Sequence, residues 1–464
     1  DETDTLTQDI HQTAEKYSDQ AFMYIEYPHK SFWSPDFSAE DAAAALLKMR
    51  DAPAPSMLYV HLPFCEKLCY FCTCHTEITG DYGRLEAYLP LLYREIDLYR
   101  RFFEENGIEP SFAEVHLGGG SPTMLREPEF DALVAKIDAL VDIASLREFA
   151  IEIDPRFTDV ERLRYYHGKG INRISLGVQE FEPRVQEAIN RVQPRELIDP
   201  LLAPDVRGLF AHGVNFDVLC GLPHQTPESI RKTFDVIAEM APDRICLNHL
   251  HYAPETARHQ TLMVDGKQGR PTRLPDHAEK KAIFREAYKA LSRHGYVRTG
   301  YDHFARPGDG VAKALSENKM KWNALGVTTG DYTNVLGVGP HSTSTLADTY
   351  YQNVYGTQAY AERMETGEFP VFRGTVLSRD DQIRREVIQK IRNFSKVSFT
   401  EIESKYQIDF HAYFSPEIEL LGEMCRDGLV EVRPQALEVT ELGREFVLFV
   451  CSQFDAYGDD NDRA

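Results

Sequence analysis

Several things are scarce in this chain of 464 residues, and each scarcity removes a class of function. No apolar run approaches the roughly 18 residues of a membrane span, and the acidic start Asp1-Glu2-Thr3-Asp4 is unlike a signal peptide. Basic residues are in deficit, with 51 Lys and Arg against 73 Asp and Glu and a net charge of −22. That argues against nucleic acid as a partner, and an anionic substrate would have to be met by local arginines. Only eight cysteines are present, four of them within ten residues, which fits a reducing cytoplasm better than a disulfide framework. There is no internal repeat beyond strand–helix units. The length allows a large core and two or three domains.

The crowded cysteines are Cys65, Cys69, Cys72 and Cys74, directly after the β-branched and aromatic run Met57–Leu62. Three follow a C-x3-C-x2-C spacing, tight enough for one loop to present three thiolates to a single iron–sulfur cluster. Three ligands for four irons leave one iron open. A zinc knuckle is the alternative, but zinc sites use a second cysteine pair or a distant His pair, and no second pair exists here.

Strand-like runs recur at Met57–Leu62, Phe112–Leu117, Phe149–Ile153, Arg173–Val178, Asn215–Leu219 and Arg244–Leu247. Helical stretches such as Arg84–Phe103, Pro128–Val141 and Pro227–Glu239 lie between them. This alternation predicts an α/β fold, a partial (β/α)6 TIM-type barrel, with a doubly wound sheet as the other possibility. Polar motifs follow the strands: the cysteines, Gly118-Gly119-Gly120-Ser121, Glu152 with Asp154, Gln179, Asp217, and His249 with His251. In parallel α/β folds ligands gather at the carboxyl ends of strands, so these motifs should share one mouth.

Residues 1–55 read as an N-terminal arm, with helices near Leu6–Tyr17 and Ala39–Met49, the latter capped by Ser38. Residues 56–372 form the barrel domain, with polar loops at 256–276 and Tyr301–Pro307 and a Gly-rich run at Leu336–Gly339. Residues 373–464 form a C-terminal lid of helices and a hairpin that resembles a winged helix. Its 11 Lys and Arg against 18 Asp and Glu in 378–464 make phosphate binding a poor fit. The tail Asp459–Asp462 is expected to be disordered. Cys220, Cys246, Cys425 and Cys451 read as small core residues.

The string Tyr59-x-His-x-Pro-Phe-Cys65-x-Lys-Leu-Cys69-Tyr-Phe-Cys72-x-Cys74 resembles the radical S-adenosylmethionine (SAM) superfamily, and within it the oxygen-independent coproporphyrinogen III oxidase family. The likeness runs from about Tyr24 to Phe454. It implies that Cys65, Cys69 and Cys72 bind a 4Fe-4S cluster whose open iron chelates SAM, cleaved on reduction to a 5′-deoxyadenosyl radical. It further implies that Tyr59, Phe71, Gly119, Gly120, Ser121, Glu152, Gln179, Arg191, Asp217, His251 and Thr343 line one or two SAM sites. The resemblance makes Tyr59, Cys74 and His251 the candidates for catalysis, and it implies that His61 neighbours the cluster and that His303 with Arg306 falls near the substrate end.

Three departures fall where the family's specificity should reside. The arm has Met23-Tyr24 where the family has Arg-Tyr. Asn248-His249-Leu250-His251-Tyr252-Ala253-Pro254 replaces Phe-Asn-Tyr-Ala-His-x-Pro, and Asn323–Thr329 lacks the Gln and Tyr of Asn-Phe-Gln-Gly-Tyr-Thr-Thr. The expected activity is oxidative decarboxylation of tetrapyrrole propionates to vinyls. The alternatives are methyl transfer from a second SAM to a tetrapyrrole, quinone or other ring, and haem carriage, against which Cys74 counts. The expected partners are a tetrapyrrole and a reductant such as flavodoxin or ferredoxin, with no nucleic acid and no membrane, for a monomer in the cytoplasm.

Overall fold

In the computed structural model, residues 2–17, 22–265 and 271–458 are described. The tail Asp459–Asp462 and part of the loop 256–276 lie outside them. Six strands form the centre: β1 (Ser56–Leu62), β2 (Phe112–Gly119), β3 (Glu148–Ile153), β4 (Arg173–Gln179), β5 (Val214–Cys220) and β6 (Arg244–His249). They pair in that order, every pair parallel. Helices Gly83–Glu105, Glu127–Val141, Val160–Gly168, Pro227–Met240 and His277–Arg293 supply most of the crossovers. Strand residues facing these helices, among them Leu58, Val60, Ile151, Leu176 and Val218, are fully buried and build the main core. The opposite faces carry the polar residues. This α/β arrangement is the expected partial barrel.

The sheet continues past both edges of the six strands, which the sequence pattern did not predict. Beside β1 lies β9 (Asn334–Val338), parallel to it, followed by antiparallel β10 (Thr343–Leu346), β11 (Thr349–Asn353) and β12 (Val371–Val376). Beside β6 lies β8 (His303–Ala305), antiparallel to it, and beyond that the edge strand β7 (Val297–Thr299), antiparallel to β8. The segment Tyr301–Pro307 is therefore a correction: it is not a polar loop throughout, because β8 saturates the open edge of β6. Its polar residues obscured the strand, since Asp302 and His303 are buried as a pair.

The N-terminal arm divides between two cores. Ile10, Ala14, Tyr17, Tyr24 and Tyr27 bury against Ile383, Val387, Phe446 and Val450 of the C-terminal region. Phe37, Ala42, Leu46 and Met49 join the barrel core. The helix Ala39–Asp51 starts at Ser38 with a capping box to Asp41, and Arg379–Phe394 starts at Ser378 with the same device to Asp381. Beyond it, the expected hairpin (Val430–Arg433, Ala436–Val439) gains a third strand, Lys396–Ser398, completing a winged-helix-like sheet.

Candidate active site

The cysteine loop leaves β1 through a two-residue bridge in which Phe64–Cys65 pairs with Glu77–Ile78. Its backbone is held from three directions. Asn190 Nδ2 donates to Leu68 O at 2.8 Å, and Tyr70 N donates to Ile189 O at 3.0 Å. His259 Nε2 donates to Cys72 O at 2.7 Å. The buried Gln260 amide donates both to Phe71 O at 3.0 Å and to His251 O at 2.8 Å. With the carbonyls occupied, the loop is fixed and its thiols are left over; all eight cysteines are free.

The sulfur environments differ. Arg191 Nη1 and Arg156 Nη2 lie 3.5 and 3.6 Å from Cys69 Sγ. A guanidinium only donates, so this sulfur accepts twice, which suits a thiolate. Both arginines are tied to Asp154, at 2.8 Å from Arg156 and 3.1 Å from Arg191. Burial would raise the Asp154 carboxyl, but the Arg156 hydrogen bonds and Arg191 hold it below the ordinary value. Burial pushes the Cys65 thiol up to about 12. A hydrogen bond from Cys74 brings Cys72 down to about 7, and Cys74 itself is pushed up by the same contact, so it is the proton-bearing member.

The Gly118–Gly120 run packs where side chains have no room. A Cβ on Gly118 would lie 2.6 Å from Glu152 Oε1, and one on Gly120 would strike the Phe64 carbonyl. The Gly119 N–H donates to Glu152 Oε2 at 3.1 Å, while His116 Nε2 lies 3.0 Å from Oε1. The Ser121 N–H donates to Phe64 O at 2.8 Å, and its hydroxyl bonds to the Cys65 thiol. Glu152 is thus half-exposed with both oxygens oriented, and the run couples β2 to the loop that carries Cys65.

Tyr59 and His61 face the same lumen. Burial lowers the His61 pKa, so the ring is neutral and has one N–H. Its Nε2 gives that proton to His75 O at 3.1 Å, leaving Nδ1 to accept from the Tyr59 hydroxyl at 3.0 Å. Asp217 accepts from Ser175 Oγ at 2.8 Å and Asn215 Nδ2 at 3.0 Å, and burial pushes its carboxyl up. Arg191 also donates to Gly177 O and Gln193 Oε1, at 2.8 and 2.9 Å, and Gln179 ends β4 with a left-handed φ of 67°. Phe71 packs with Leu219, Leu222 and Leu250.

Most sequence-derived candidates therefore meet at one mouth. Thr343, at the head of β10, lies against Gly337, which pairs with Tyr59, and makes no side-chain hydrogen bond to that group among the described residues. His251 lies exposed on the loop after β6, and Gln260 bridges its carbonyl to the cysteine loop. His303 is not a solvated loop residue: it is buried, with Nδ1 2.7 Å from Asp302 Oδ1. Burial would raise Asp302, but His303 brings it down to about 2. Arg306 remains exposed. Sequence reasoning missed Arg156, Asn190, His259 and Gln260, which act through contacts distant in sequence. Only Arg156, two residues past Asp154 at a strand end, carried a positional signal.

A model of the radical SAM superfamily matches residues 59–237, and one of the HemN C-terminal domain matches residues 377–446. The oxygen-independent coproporphyrinogen III oxidase of Salmonella typhimurium is 34% identical over 443 residues, covering 96% of this chain and 94% of that protein. Its counterpart in Escherichia coli K12 is 33% identical over 443 residues, with the same coverage. The chain belongs to this oxidase family. The solved Escherichia coli oxidase, described as a radical SAM enzyme, superposes with a TM-score of 0.86 over 94% of this chain and 98% of that one. Radical SAM family membership brings a 4Fe-4S cluster and SAM as cofactors. The residues fit such a pair: free thiols on a braced loop, a doubly donated Cys69 sulfur, and an oriented carboxylate in Glu152. The methyltransferase alternative is not favoured by these relatives. Among the described residues no helix is long and apolar enough to cross a membrane.

Proposed function

We propose that this chain oxidatively decarboxylates propionate groups of coproporphyrinogen III to vinyls. The observation supporting it is one strand-end mouth that joins the cysteine loop to Glu152, Arg191 and Asp217, on a chain matched end to end with the oxidases. Cys65, Cys69 and Cys72 would hold the 4Fe-4S cluster, which with SAM would supply a 5′-deoxyadenosyl radical for hydrogen abstraction at the propionate; the substrate radical would then lose carbon dioxide and pass one electron to a one-electron acceptor to give the vinyl. Glu152, fixed by His116 and the Gly119 N–H, is placed to accept from an ammonium group. Gly119, Gly120 and Ser121 form the wall against which the methionine end of SAM would lie, and Tyr59 and Phe71 enclose it. Arg191, Gln179 and Asp217 are the candidates for a second SAM. Cys74, the thiol that donates to Cys72, is assigned a role in turnover, and His251 that of proton acceptor.

For the carboxylates of the substrate, the arm lacks its arginine, but Arg392 Nε donates to Met23 O at 3.0 Å. Its terminal nitrogens are buried with no hydrogen-bond partner among the described residues, and the group stacks on Trp322. Burial pushes its pKa down to about 9 against the pull of Asp302. A carboxylate is the ligand such a fork suits. We further propose a tetrapyrrole as substrate, flavodoxin or ferredoxin as reductant, and a monomer working in the cytoplasm. Anaerobic reaction with SAM, dithionite and coproporphyrinogen III, followed by mass spectrometry, tests this reading. The divinyl product, carbon dioxide and 5′-deoxyadenosine are expected; a methylated product with S-adenosylhomocysteine would overturn it.

A further inference from the structure

The Cys69 sulfur is set apart from its neighbours. Among the described residues no other loop sulfur receives a guanidinium, yet Cys69 receives two, from Arg156 and Arg191. Arg156 is the more constrained. Its Nε lies 3.0 Å from Asp154 Oδ1 and its Nη2 lies 2.8 Å from Oδ2, a fork that fixes the plane of the guanidinium. The Asp154 carboxylate is fixed too, because its Oδ1 also accepts from Arg156 N at 3.0 Å. Arg156 lies 5.2 Å over the Phe157 ring, and the side chains of Arg156 and Asp154 are only 10% and 8% exposed, so water screens the charge weakly.

We propose that Arg156, oriented by Asp154, is a positioning residue that raises the reduction potential of the cluster through its N–H donation to the Cys69 sulfur. This rests on the reading that Cys69 ligates the cluster. The reasoning is electrostatic. One-electron reduction adds negative charge that spreads onto the ligating sulfurs, and a nearby donor carrying positive charge stabilises the reduced form more than the oxidised one. Hydrogen bonds to cluster sulfurs and local charge are among the levers that set such potentials. Arg191 shares the sulfur but divides its donors among Gly177 O, Gln193 and Asp154, whereas Arg156 spends its fork on Asp154 and Cys69.

The test is a potentiometric titration followed by electron paramagnetic resonance, on the full chain reconstituted anaerobically with iron and sulfide. Arg156→Gln should hold the cluster with an unchanged signal shape, and its one-electron reduction equilibrium constant should fall at least tenfold, about 59 mV more negative. Arg156→Lys, which keeps the charge without the fork, should shift the same way by less. An R156Q potential equal to the parent, or higher, overturns the proposal. Should R156Q fail to take up iron, the R156K titration decides, and an unshifted potential there also overturns it. A parent chain without a cluster, or a Cys69→Ala variant that keeps one, would sink the ligand assignment instead.

Discussion

The two ends of the barrel use the same strands and the same inward face for opposite ends. On β3, Glu148 and Glu152 are four residues apart and face the same lumen; on β4, Arg173 and Gly177 do likewise. At the amino end the charges are matched to one another. Arg147 binds Glu114 and lies 3.0 Å from Asp331, Arg173 lies 2.6 Å from Glu148, and Arg244 lies 2.9 Å from Asp309. The cavity between them is about 20 Å³, enough for little more than a water molecule. At the carboxyl end glycines replace side chains, and Glu152, Asp217 and Arg191 are held by hydrogen bonds with neighbouring strands and turns rather than by one-to-one ion pairs across the lumen. A buried charge in a barrel lumen is therefore no sign of a site by itself.

Breaking each end should produce different losses. The largest is expected from Cys65→Ala, Cys69→Ala or Cys72→Ala. Each should abolish the iron content and brown absorbance of the reconstituted protein while leaving its melting temperature without iron nearly unchanged. If all three singles kept their iron, the carboxyl end would not be the cluster site. At the amino end, Arg173→Met strands Glu148 in the interior, and removing one partner of a buried pair costs about 3–5 kcal/mol. Denaturant titration should show that loss, with iron per folded molecule unaffected.

The same pair sets an acid limb. Burial would raise Glu148, but Arg173, Arg244 and Arg147 bring it down to about 2 from an ordinary 4.5. A depressed carboxyl contributes stability above its unfolded value and loses it as pH falls, here between about 4.5 and about 2. Unfolding free energy should fall across that window by a few kcal/mol and do so less steeply in R173M. Parallel slopes in the two proteins would remove Glu148 as the cause.

The difference between the ends also explains what could be read from sequence. The six strands were legible because apolar residues alternate with polar or small ones at the strand period, as in Phe112–Leu117 and Arg173–Val178, with the apolar set turned to the helices. The cysteine loop was legible because its chemistry is local in sequence. Strands β7 to β12 were not, because strands as short as His303–Ala305, paired on both sides yet only three residues long, are too brief to show a period. Likewise the braces of the cysteine loop, Asn190, His259 and Gln260, have no local pattern; each is an ordinary polar residue made important by where its chain segment returns. The arm misled in another way. Read as one unit, it is split between two cores: Ile10, Ala14, Tyr17, Tyr24 and Tyr27 serve one, and Phe37, Ala42, Leu46 and Met49 the other.

Glu152 and His116 give the finest test of the contrast, because His116 touches both ends. It lines the small amino-end cavity, and its Nε2 lies 3.0 Å from Glu152 Oε1. A carboxylate only accepts, so His116 donates from Nε2, whatever fills the lumen above. Glu152→Gln removes a charged acceptor, and losing one charge-assisted hydrogen bond costs about 1.5–3 kcal/mol, roughly ten- to a hundredfold in SAM affinity by calorimetry. His116→Phe keeps a ring of similar size but leaves Glu152 only the Gly119 N–H. A neutral hydrogen bond is worth about 0.5–1.5 kcal/mol net, so SAM binding should weaken by roughly two- to tenfold. If His116 serves the carboxyl end, the SAM affinity of E152Q should be nearly insensitive to adding H116F, since the two act through one contact. If it serves the amino end, the double variant should lose stability by the sum of the singles and SAM affinity no further than E152Q, while H116F alone leaves SAM affinity intact. The first pattern is expected, because the His116 contact with Glu152 is a hydrogen bond and its contact with the cavity is only a wall.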